Sequence, residues 1–457
     1  MRETARLRGD GVMKILVAGW DSGGGVEAVQ TVVRRAVARG HDVRVLGTEG
    51  LRGRFESTGA VFRRYQYAPD NDLRRPETDL VKDWQARNPL SLWVRIRDRL
   101  LIGPAREFCR DVLEELRRDA ADVVVVDTMI PSALLGAEVA GVPAVVVMHG
   151  AYMVPRAEVP PLGTGFMPAS GRLGRLRDRS AAAAAIAALR NGLPTLNRVR
   201  AEFGLAPLRN ALDLMGNADR VLVCSSPSYD FAPDSVPANV RYVGPQLDDT
   251  ADETPGNPWA DPSGRPLVLV GLSSTVMRQE RVLQRAADAL GQLPVRGLVT
   301  TGPAVDPAVI AAPPNVTVAQ WARHADILPH CSAVITHGGH GTVMKALIAG
   351  IPQVVVPLGR DQPDNAARVV YAGAGVRLRK NASARALRAA VARVIEDPRC
   401  RAGAARMASR LAAERDANLA VDELERVAAA APRLTRPAGA PRPGQPAAGR
   451  PTGRTHG

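Results

Sequence analysis

Buried strands and helical segments alternate along this chain, and the alternation begins twice. The first series opens with KILVAGW (14–20), a continuous apolar run that ends in a glycine-rich turn, and continues through a helical stretch to HDVRVLG (41–47). Continuous apolar runs of this length are typical of parallel strands that helices cover on both faces. Because a strand, a helix and a second parallel strand form one connected unit, the pattern predicts an α/β fold.

The second series opens with RPLVLVGLSST (265–275), after an acidic segment rich in Pro and Gly at 247–264 that is typical of a linker. The chain therefore divides into two predicted domains of alternating strands and helices, 13–246 and 265–431, the second ending in a long helical stretch. Residues 1–12 and the Pro- and Arg-rich segment 432–457 are predicted to be disordered extensions.

The formal net charge of +14 invites a nucleic-acid interpretation, but much of it lies outside the two domains. Residues 432–457 hold five Arg and no acidic residue, and no basic run is interleaved with aromatic residues. We therefore expect no nucleic-acid partner, and attraction to an anionic small molecule instead.

Four cysteines lie far apart in the sequence and show no spacing typical of a metal site. The first twelve residues lack the apolar core of a signal peptide, and no apolar run is long enough to cross a membrane. We therefore expect a cytoplasmic protein with free thiols and no bound metal.

The segment THGGHGTVMKALIAG (336–350) places a histidine and two glycines between a strand and a helix. Gly338 and Gly339 permit a tight turn because no side chain blocks the backbone. The first N–H groups of the helix have no partner within it, and the helix dipole favours negative charge beside them. With the ring of His337 they form a predicted phosphate or diphosphate site. We expect these N–H groups to belong to Gly341, Thr342 and Val343.

The next strand, QVVVP (353–357), ends at the same edge of the sheet, and the loop after it carries Asp361 and Gln362. A carboxylate only accepts hydrogen bonds whereas a carboxamide donates and accepts, so the pair matches adjacent hydroxyl groups. A phosphate site beside a polyol site indicates a nucleotide sugar. The alternative role for Asp361 is a solvated loop acid or a cap of the next helix.

The run TVAQWARHADILPHCSAVITHGGHGTVMKALIAGIPQVVVPLGRDQPDNAARVVYAGAGVRL (317–378) resembles the donor-binding motif of the family-1 glycosyltransferases. Within that family it is most similar to the bacterial members that glycosylate natural products such as macrolides, glycopeptides and enediynes. The resemblance implies the GT-B fold, in which two Rossmann-like domains face each other across a cleft and a C-terminal helix crosses between them. It also implies inverting, metal-independent transfer from a nucleoside diphosphate sugar, with no cofactor.

The resemblance assigns Trp321 to stacking on the nucleobase, although ordinary core packing is a second interpretation of this residue. It assigns His337 to the diphosphate, and Asp361 and Gln362 to the sugar hydroxyls. It places six further residues around the diphosphate: Ser273, Ser274, Thr275, Gly339, Gly341 and Thr342.

Two positions depart from the family pattern. Where the family often carries a Glu that holds the ribose hydroxyls, this chain has Lys345, which cannot accept a hydrogen bond. A dTDP-sugar, with one free ribose hydroxyl, tolerates this change better than a UDP-sugar. The first-strand loop usually carries the His or Asp that takes the acceptor's proton, and the matching position here falls on Gly24 or Gly25.

Three explanations for the missing base remain open. Asp127, at the end of the strand VVVVD, is the first candidate because a carboxylate beside a cleft can act as a general base. Asp21 or His149 is the second, and for His149 simple packing is the alternative. In the third, the acceptor is acidic enough to lose its proton with little assistance from a base.

The sequence thus predicts transfer of a sugar from a UDP- or dTDP-sugar to a small apolar acceptor. A nucleotide-sugar epimerase of the same fold and a helper protein that only binds nucleotide sugars are the alternatives. The acceptor, the sugar and the oligomeric state stay open.

Overall fold

The protein is described by a computed structural model that covers residues 11–247 and 264–430, apart from positions 74, 76, 86, 88, 157, 158, 161, 232–235, 415 and 417. The predicted extensions and the predicted linker lie outside these residues, except for positions 11, 12, 247 and 264.

Thirteen strands in the described part of the chain form two sheets, and every paired strand is parallel to its neighbour. The N-terminal sheet has the order β3-β2-β1-β4-β5-β6-β7 and the C-terminal sheet the order β10-β9-β8-β11-β12-β13. The strands of the first sheet are β1 (Lys14–Ala18), β2 (Asp42–Gly47), β3 (Val61–Arg64), β4 (Val123–Asp127), β5 (Ala144–Met148), β6 (Arg220–Val223) and β7 (Val240–Tyr242). Those of the second are β8 (Leu267–Gly271), β9 (Arg296–Thr300), β10 (Val316–Ala319), β11 (Cys331–Thr336), β12 (Gln353–Val355) and β13 (Gly375–Arg377).

Helices cover these sheets, as expected for strands whose side chains are buried on both faces. The N-terminal domain contains α1 (Val26–Ala38), α2 (Arg52–Glu56), α3 (Pro89–Ile96), α4 (Ala105–Arg118), α5 (Leu134–Ala140), α6 (Gly171–Arg190), α7 (Leu193–Glu202) and α8 (Asp213–Gly216). The rest of the chain contains α9 (Glu280–Gly291), α10 (His324–Ile327), α11 (His340–Ile348), α12 (Gln362–Tyr371), α13 (Ala384–Glu396), α14 (Pro398–Glu414) and α15 (Leu419–Ala430).

Each sheet has one point at which the strand order reverses direction, between β1 and β4 in the first sheet and between β8 and β11 in the second. In open parallel sheets, ligands bind in the crevice beyond the carboxyl ends of the strands at such a point. Residues from both crevices line a single cavity between the domains. The predicted α/β, GT-B class of two domains facing across a cleft is therefore confirmed.

The last helix, α15, packs against the N-terminal sheet although it follows the C-terminal domain in sequence. Val421, Leu424 and Val427 are buried in the same apolar cluster as Val17 and Val125 of the first sheet. On the same helix, Glu425 pairs with Arg39 and His41 of the N-terminal domain. The chain thus crosses between the domains a second time.

Candidate active site

The cavity between the domains has a volume of about 1050 Å³. It brings together residues that lie far apart in the sequence, including every donor-site residue that the sequence predicted, together with His149. Asp127 differs from this set, because it is fully buried and does not line the cavity.

The first turn of α11 opens towards the cavity. The turn before it is tight, since Gly338 has a φ of +93° and a Cβ atom there would lie 2.9 Å from a side-chain carbon of Val355. The helix begins at His340, one residue earlier than predicted, and the N–H of Val343 bonds to the carbonyl of Gly339. The prediction that Val343 offers a free N–H is therefore wrong. The N–H groups left without a helical partner belong to His340, Gly341 and Thr342.

The imidazole of His337 is held at the same end of the site. A Cβ atom on Gly339 would lie 2.5 Å from Nε2 of His337, so only glycine leaves room for the ring. Burial lowers the pKa of His337 to about 4, even though the charge of Asp361 opposes this shift. The ring is therefore neutral at pH 7, and it is available to a ligand as a hydrogen-bond donor rather than as a cation.

The loop after β8 is held in place by its own hydrogen bonds. The hydroxyl groups of Ser273 and Thr275 lie 2.9 Å apart, and the side chain of Gln279 bonds to both the N–H and the C=O of Ser273. Ser274, by contrast, is exposed. Of the three predicted hydroxyls, that of Ser274 has the freest access to a ligand.

Trp321 follows β10 at the rim of the cavity, with 71% of its surface exposed. The alternative of core packing therefore does not apply to this residue. An exposed indole beside the cleft is available to stack on a planar base.

Two polar side chains at the start of α12, those of Asp361 and Gln362, make different contacts. The side-chain oxygen Oε1 of Gln362 already accepts hydrogen bonds from the N–H groups of Leu358 and Gly359, at 2.7 and 3.0 Å. This side chain therefore stabilises the conformation of the loop. Asp361 stands at the N-cap position of α12 but makes no capping bond; it accepts a hydrogen bond from Nδ2 of Asn365 at 2.8 Å. Asp361 is thus the stronger candidate for binding hydroxyl groups.

On the opposite wall, His149 follows β5 and lies beside Asp127, with 3.6 Å between Nε2 and the carboxylate oxygen Oδ1. Burial lowers the pKa of His149, but the charges of Asp127 and Asp361 outweigh it and raise the pKa above its ordinary value. Asp127 also accepts the N–H of Met129 at 2.8 Å. Since Asp127 cannot reach a ligand in the cavity, its position fits orientation of His149 better than direct proton removal.

The glycines of the first loop make room for two close contacts. A Cβ atom on Gly25 would lie 2.7 Å from Cε1 and Nδ1 of His149, and one on Gly23 would lie 2.9 Å from a side-chain carbon of Thr275 in the other domain. Gly24 has nothing within 4 Å of the corresponding position. Gly23 and Gly25 of the SGGG sequence are therefore explained by contacts within the site, whereas Gly24 is not.

Asp21, the other acidic candidate, supports this loop. Its two carboxylate oxygens accept the N–H groups of Gly23 and Leu73, at 3.2 and 3.1 Å. A carboxylate whose two oxygens both bind backbone amides is a structural anchor, and it is less suited than His149 to accept a proton from a ligand.

Comparison with known proteins agrees with this geometry. Residues 284–427 match the family described as erythromycin biosynthesis protein CIII-like, C-terminal domain. Over 419 residues the chain is 33% identical to the 4'-demethylrebeccamycin synthase of Lentzea aerocolonigenes, an alignment that covers 90% of this chain and 99% of that protein.

The chain belongs to the natural-product glycosyltransferases.

Solved structures of similar fold include the calicheamicin glycosyltransferase CalG4, with a TM-score of 0.69 and 23% identity over 91% of this chain and 98% of that one. The kitacinnamycin glycotransferase has a TM-score of 0.71 and 22% identity, with the same coverage. A third is the glycosyltransferase VinC in complex with dTDP, with a TM-score of 0.67 and 18% identity over 91% of this chain and 99% of that chain. The predicted enzyme class is confirmed, and none of these relatives carries an epimerase name.

Several residues of this glycosyltransferase's site were missed by sequence reasoning. His340 contacts the other domain, with Nε2 lying 3.2 Å from the carbonyl of Cys224. Asp364 accepts the N–H of Gly165 at 2.7 Å, and Glu27 pairs with Lys345. The HGGHGT motif could have pointed to His340, but no local pattern indicates the other two contacts.

The part of the cavity that the N-terminal domain lines is largely apolar. The apolar wall includes Leu80, Val81, Ile96, Met129, Met153 and Met215.

No described helix of this glycosyltransferase is long and apolar enough to span a membrane.

Proposed function

We propose that this glycosyltransferase moves a sugar from a UDP- or dTDP-sugar to a small apolar acceptor, with inversion at the anomeric carbon and without a metal. The observation that carries the proposal is the position of the His149–Asp127 pair, across the cavity from Asp361 and the first turn of α11. A base and a diphosphate site on opposite walls suit a displacement in one step.

In this reaction Nδ1 of His149 takes the proton from the acceptor's nucleophilic group while that group attacks the anomeric carbon. The bond between this carbon and the diphosphate oxygen breaks in the same step. Asp127, on the Nε2 side of the ring, stabilises the imidazolium that forms and keeps the ring oriented. The proton then passes from His149 to solvent, which restores the neutral base.

The charge that develops on the leaving diphosphate meets donors already in place. These are the N–H groups at the start of α11, the neutral ring of His337 and the hydroxyl of Ser274. Such preorganised donors stabilise the departing anion without a metal ion. The base belongs to one domain and the diphosphate site to the other, an arrangement that supports the proposed attack from the face opposite the leaving group, which inverts the configuration.

An apolar acceptor is supported by the wall of the N-terminal domain, where methionine and aliphatic side chains face the cavity. Methionine side chains adapt to irregular apolar ligands. A dTDP-sugar donor is supported by the complexes of VinC and of a spinosyn rhamnosyltransferase with thymidine diphosphate. The four free cysteines support a reducing, cytoplasmic location.

The test is incubation of the protein with a panel of UDP- and dTDP-sugars, with and without apolar hydroxylated acceptors, followed by mass spectrometry and NMR of the anomeric linkage. We expect an acceptor-dependent product of inverted configuration that forms equally in EDTA. Conversion of the nucleotide sugar without any acceptor would instead favour an epimerase. Binding of the nucleotide sugar, with no product from any acceptor, would favour a helper protein.

A further inference from the structure

An ion pair joins the two domains inside the cavity. Nζ of Lys345, on α11, lies 2.5 Å from Oε1 of Glu27, in the first turn of α1. The two side chains are 21% and 20% exposed, so the pair is largely shielded from solvent. Both residues line the cavity that contains the proposed donor site.

The pair lies over the first turn of α11. Lys345 is four residues after Gly341 and therefore lies on the same face of the helix, with its side chain directed back towards the N-terminus. Gly341 has no side chain to fill this space, and Oε2 of Glu27 lies 3.4 Å from the position of a Cβ atom there. The carboxylate of Glu27 thus lies close to where a helix N-terminus attracts an anion.

Two neighbouring groups are consistent with an anion site at this position. His337 lines the same cavity and is about nine-tenths buried, and its Nδ1 has no hydrogen-bond partner among the described residues. Burial, and then the charge of Lys345, lower the pKa of His324 to about 4. His324 is therefore neutral at pH 7, whereas Lys345 is a cation that faces Glu27.

We infer that Lys345 binds the donor's diphosphate. Before the donor binds, the carboxylate of Glu27 in the opposite domain pairs with the Lys345 ammonium, and the diphosphate then displaces Glu27. This inference rests on the proposed function, because it places the diphosphate at α11. A diphosphate carries more negative charge than a carboxylate and offers more acceptor oxygens, so it replaces Glu27 as the partner of Lys345. Donor binding then exchanges a contact between the domains for a contact with the ligand.

The inference makes opposite predictions for the two partners. Replacement of Glu27 by Gln removes an internal competitor and a repelling charge, so nucleotide affinity rises about two- to fivefold. Replacement of Lys345 by Met keeps the aliphatic stem and removes the ammonium, so affinity falls about tenfold. In the double variant, the gain from Glu27→Gln is lost because no cation remains to be released.

The experiment is isothermal titration of the full-length protein with dTDP and with UDP. The proteins compared are the wild type, Glu27→Gln, Lys345→Met and the double variant, each also at raised salt. The matched control is Glu49→Gln, which removes a carboxylate from an ion pair with Arg52 outside the cavity. We expect this control to bind like the wild type, and thermal unfolding of each variant shows whether its fold is retained.

Weaker binding by Glu27→Gln would overturn the inference, because Glu27 would then be a direct ligand of the nucleoside. Unchanged binding by Lys345→Met, with normal binding by the wild type, would also overturn it while leaving the proposed function intact. If the folded wild type bound neither dTDP nor UDP, the proposed function and this inference would fail together.

Discussion

The imidazole of His149 occupies the space that a side chain on Gly25 would fill, with Nδ1 only 2.7 Å from the position of a Cβ atom there. Because position 25 carries no side chain, the loop after β1 leaves room for the ring of His149, which follows β5. In our proposal the base has not been lost but is supplied by a different strand of the same sheet.

Replacing Gly25 by Ala tests this relationship with a single methyl group. Gly25 has a φ of −69°, which alanine adopts without strain. The expected effect therefore arises from displacement of the His149 ring and of the Ser22 hydroxyl, whose oxygen lies 2.6 Å from the position of the added carbon. We expect turnover to fall about 10- to 100-fold because the base is misplaced. The control is Gly24→Ala, whose added methyl meets no atom within 4 Å and should leave the rate unchanged. Equal rates for both variants would contradict a role for the His149 ring.

The pH dependence of the reaction tests the role of Asp127. A base works only when unprotonated, so kcat/KM should rise with pH and level off above a pKa higher than the ordinary 6.5 of histidine. Asp127→Asn removes the negative charge that opposes the effect of burial, so the pKa of His149 falls. We expect a slower enzyme whose rise in kcat/KM occurs at lower pH. The profile of kcat/KM against pH for both proteins is the measurement, and an unshifted profile would argue against this pairing.

His337→Ala should weaken dTDP or UDP binding about tenfold, through loss of one hydrogen bond to a charged group. Because the pKa of His337 is about 4, the ring stays neutral above pH 6, and the loss should be the same at pH 6 and pH 8. Titration calorimetry at both pH values measures this. His337→Gln, which keeps a donor group, should recover part of the affinity. A loss that appears only at pH 6 would show that the ring binds as a cation.

Asp364 couples protonation to the contact between the domains. Its carboxylate accepts the N–H groups of Gly163 and Gly165, but burial raises its pKa to about 6 from 3.8. The folded protein therefore binds a proton more tightly than the unfolded chain does. The contribution of Asp364 to stability is fully present below about pH 4 and falls as the pH rises towards 6.

Comparison of the wild type with Asp364→Asn by denaturant titration, at several pH values between 4 and 7.5, isolates this effect. The difference in the free energy of unfolding between the two proteins should change by about 1–3 kcal/mol over this range, in favour of the variant at higher pH. A difference that does not vary with pH would contradict the raised pKa.

The sequence predicted most of the fold because each central strand is a continuous apolar run. It missed β3 and β13, which lie at the edges of their sheets and contain few buried residues. For VFRR (61–64), only Phe62 is buried, so the run resembles a loop by composition. Short edge strands are recognised by their pairing with a neighbour, which the sequence alone does not display.

The donor side of the site was predicted more completely than the acceptor side. Six of the ten predicted donor residues, from His337 to Gln362, fall within or directly after one strand–helix–strand unit, so their spacing along the chain determines where they lie. The contacts Glu27–Lys345 and Gly165–Asp364 join residues of different domains, and nothing in the spacing of either segment indicates its partner. Likewise, the preference for Asp127 over His149 could not be resolved without knowing which of them is buried.

The return of α15 to the first sheet determines how this enzyme can be recombined with its relatives. A chimera joined once, between 247 and 264, would place a foreign α15 on the apolar surface formed by Val17 and Val125. Exchange of the nucleotide-binding half therefore requires two junctions, with the second between Glu414 and Leu419. Hybrids made in this way keep Val421, Leu424 and Val427 with the sheet they evolved to cover.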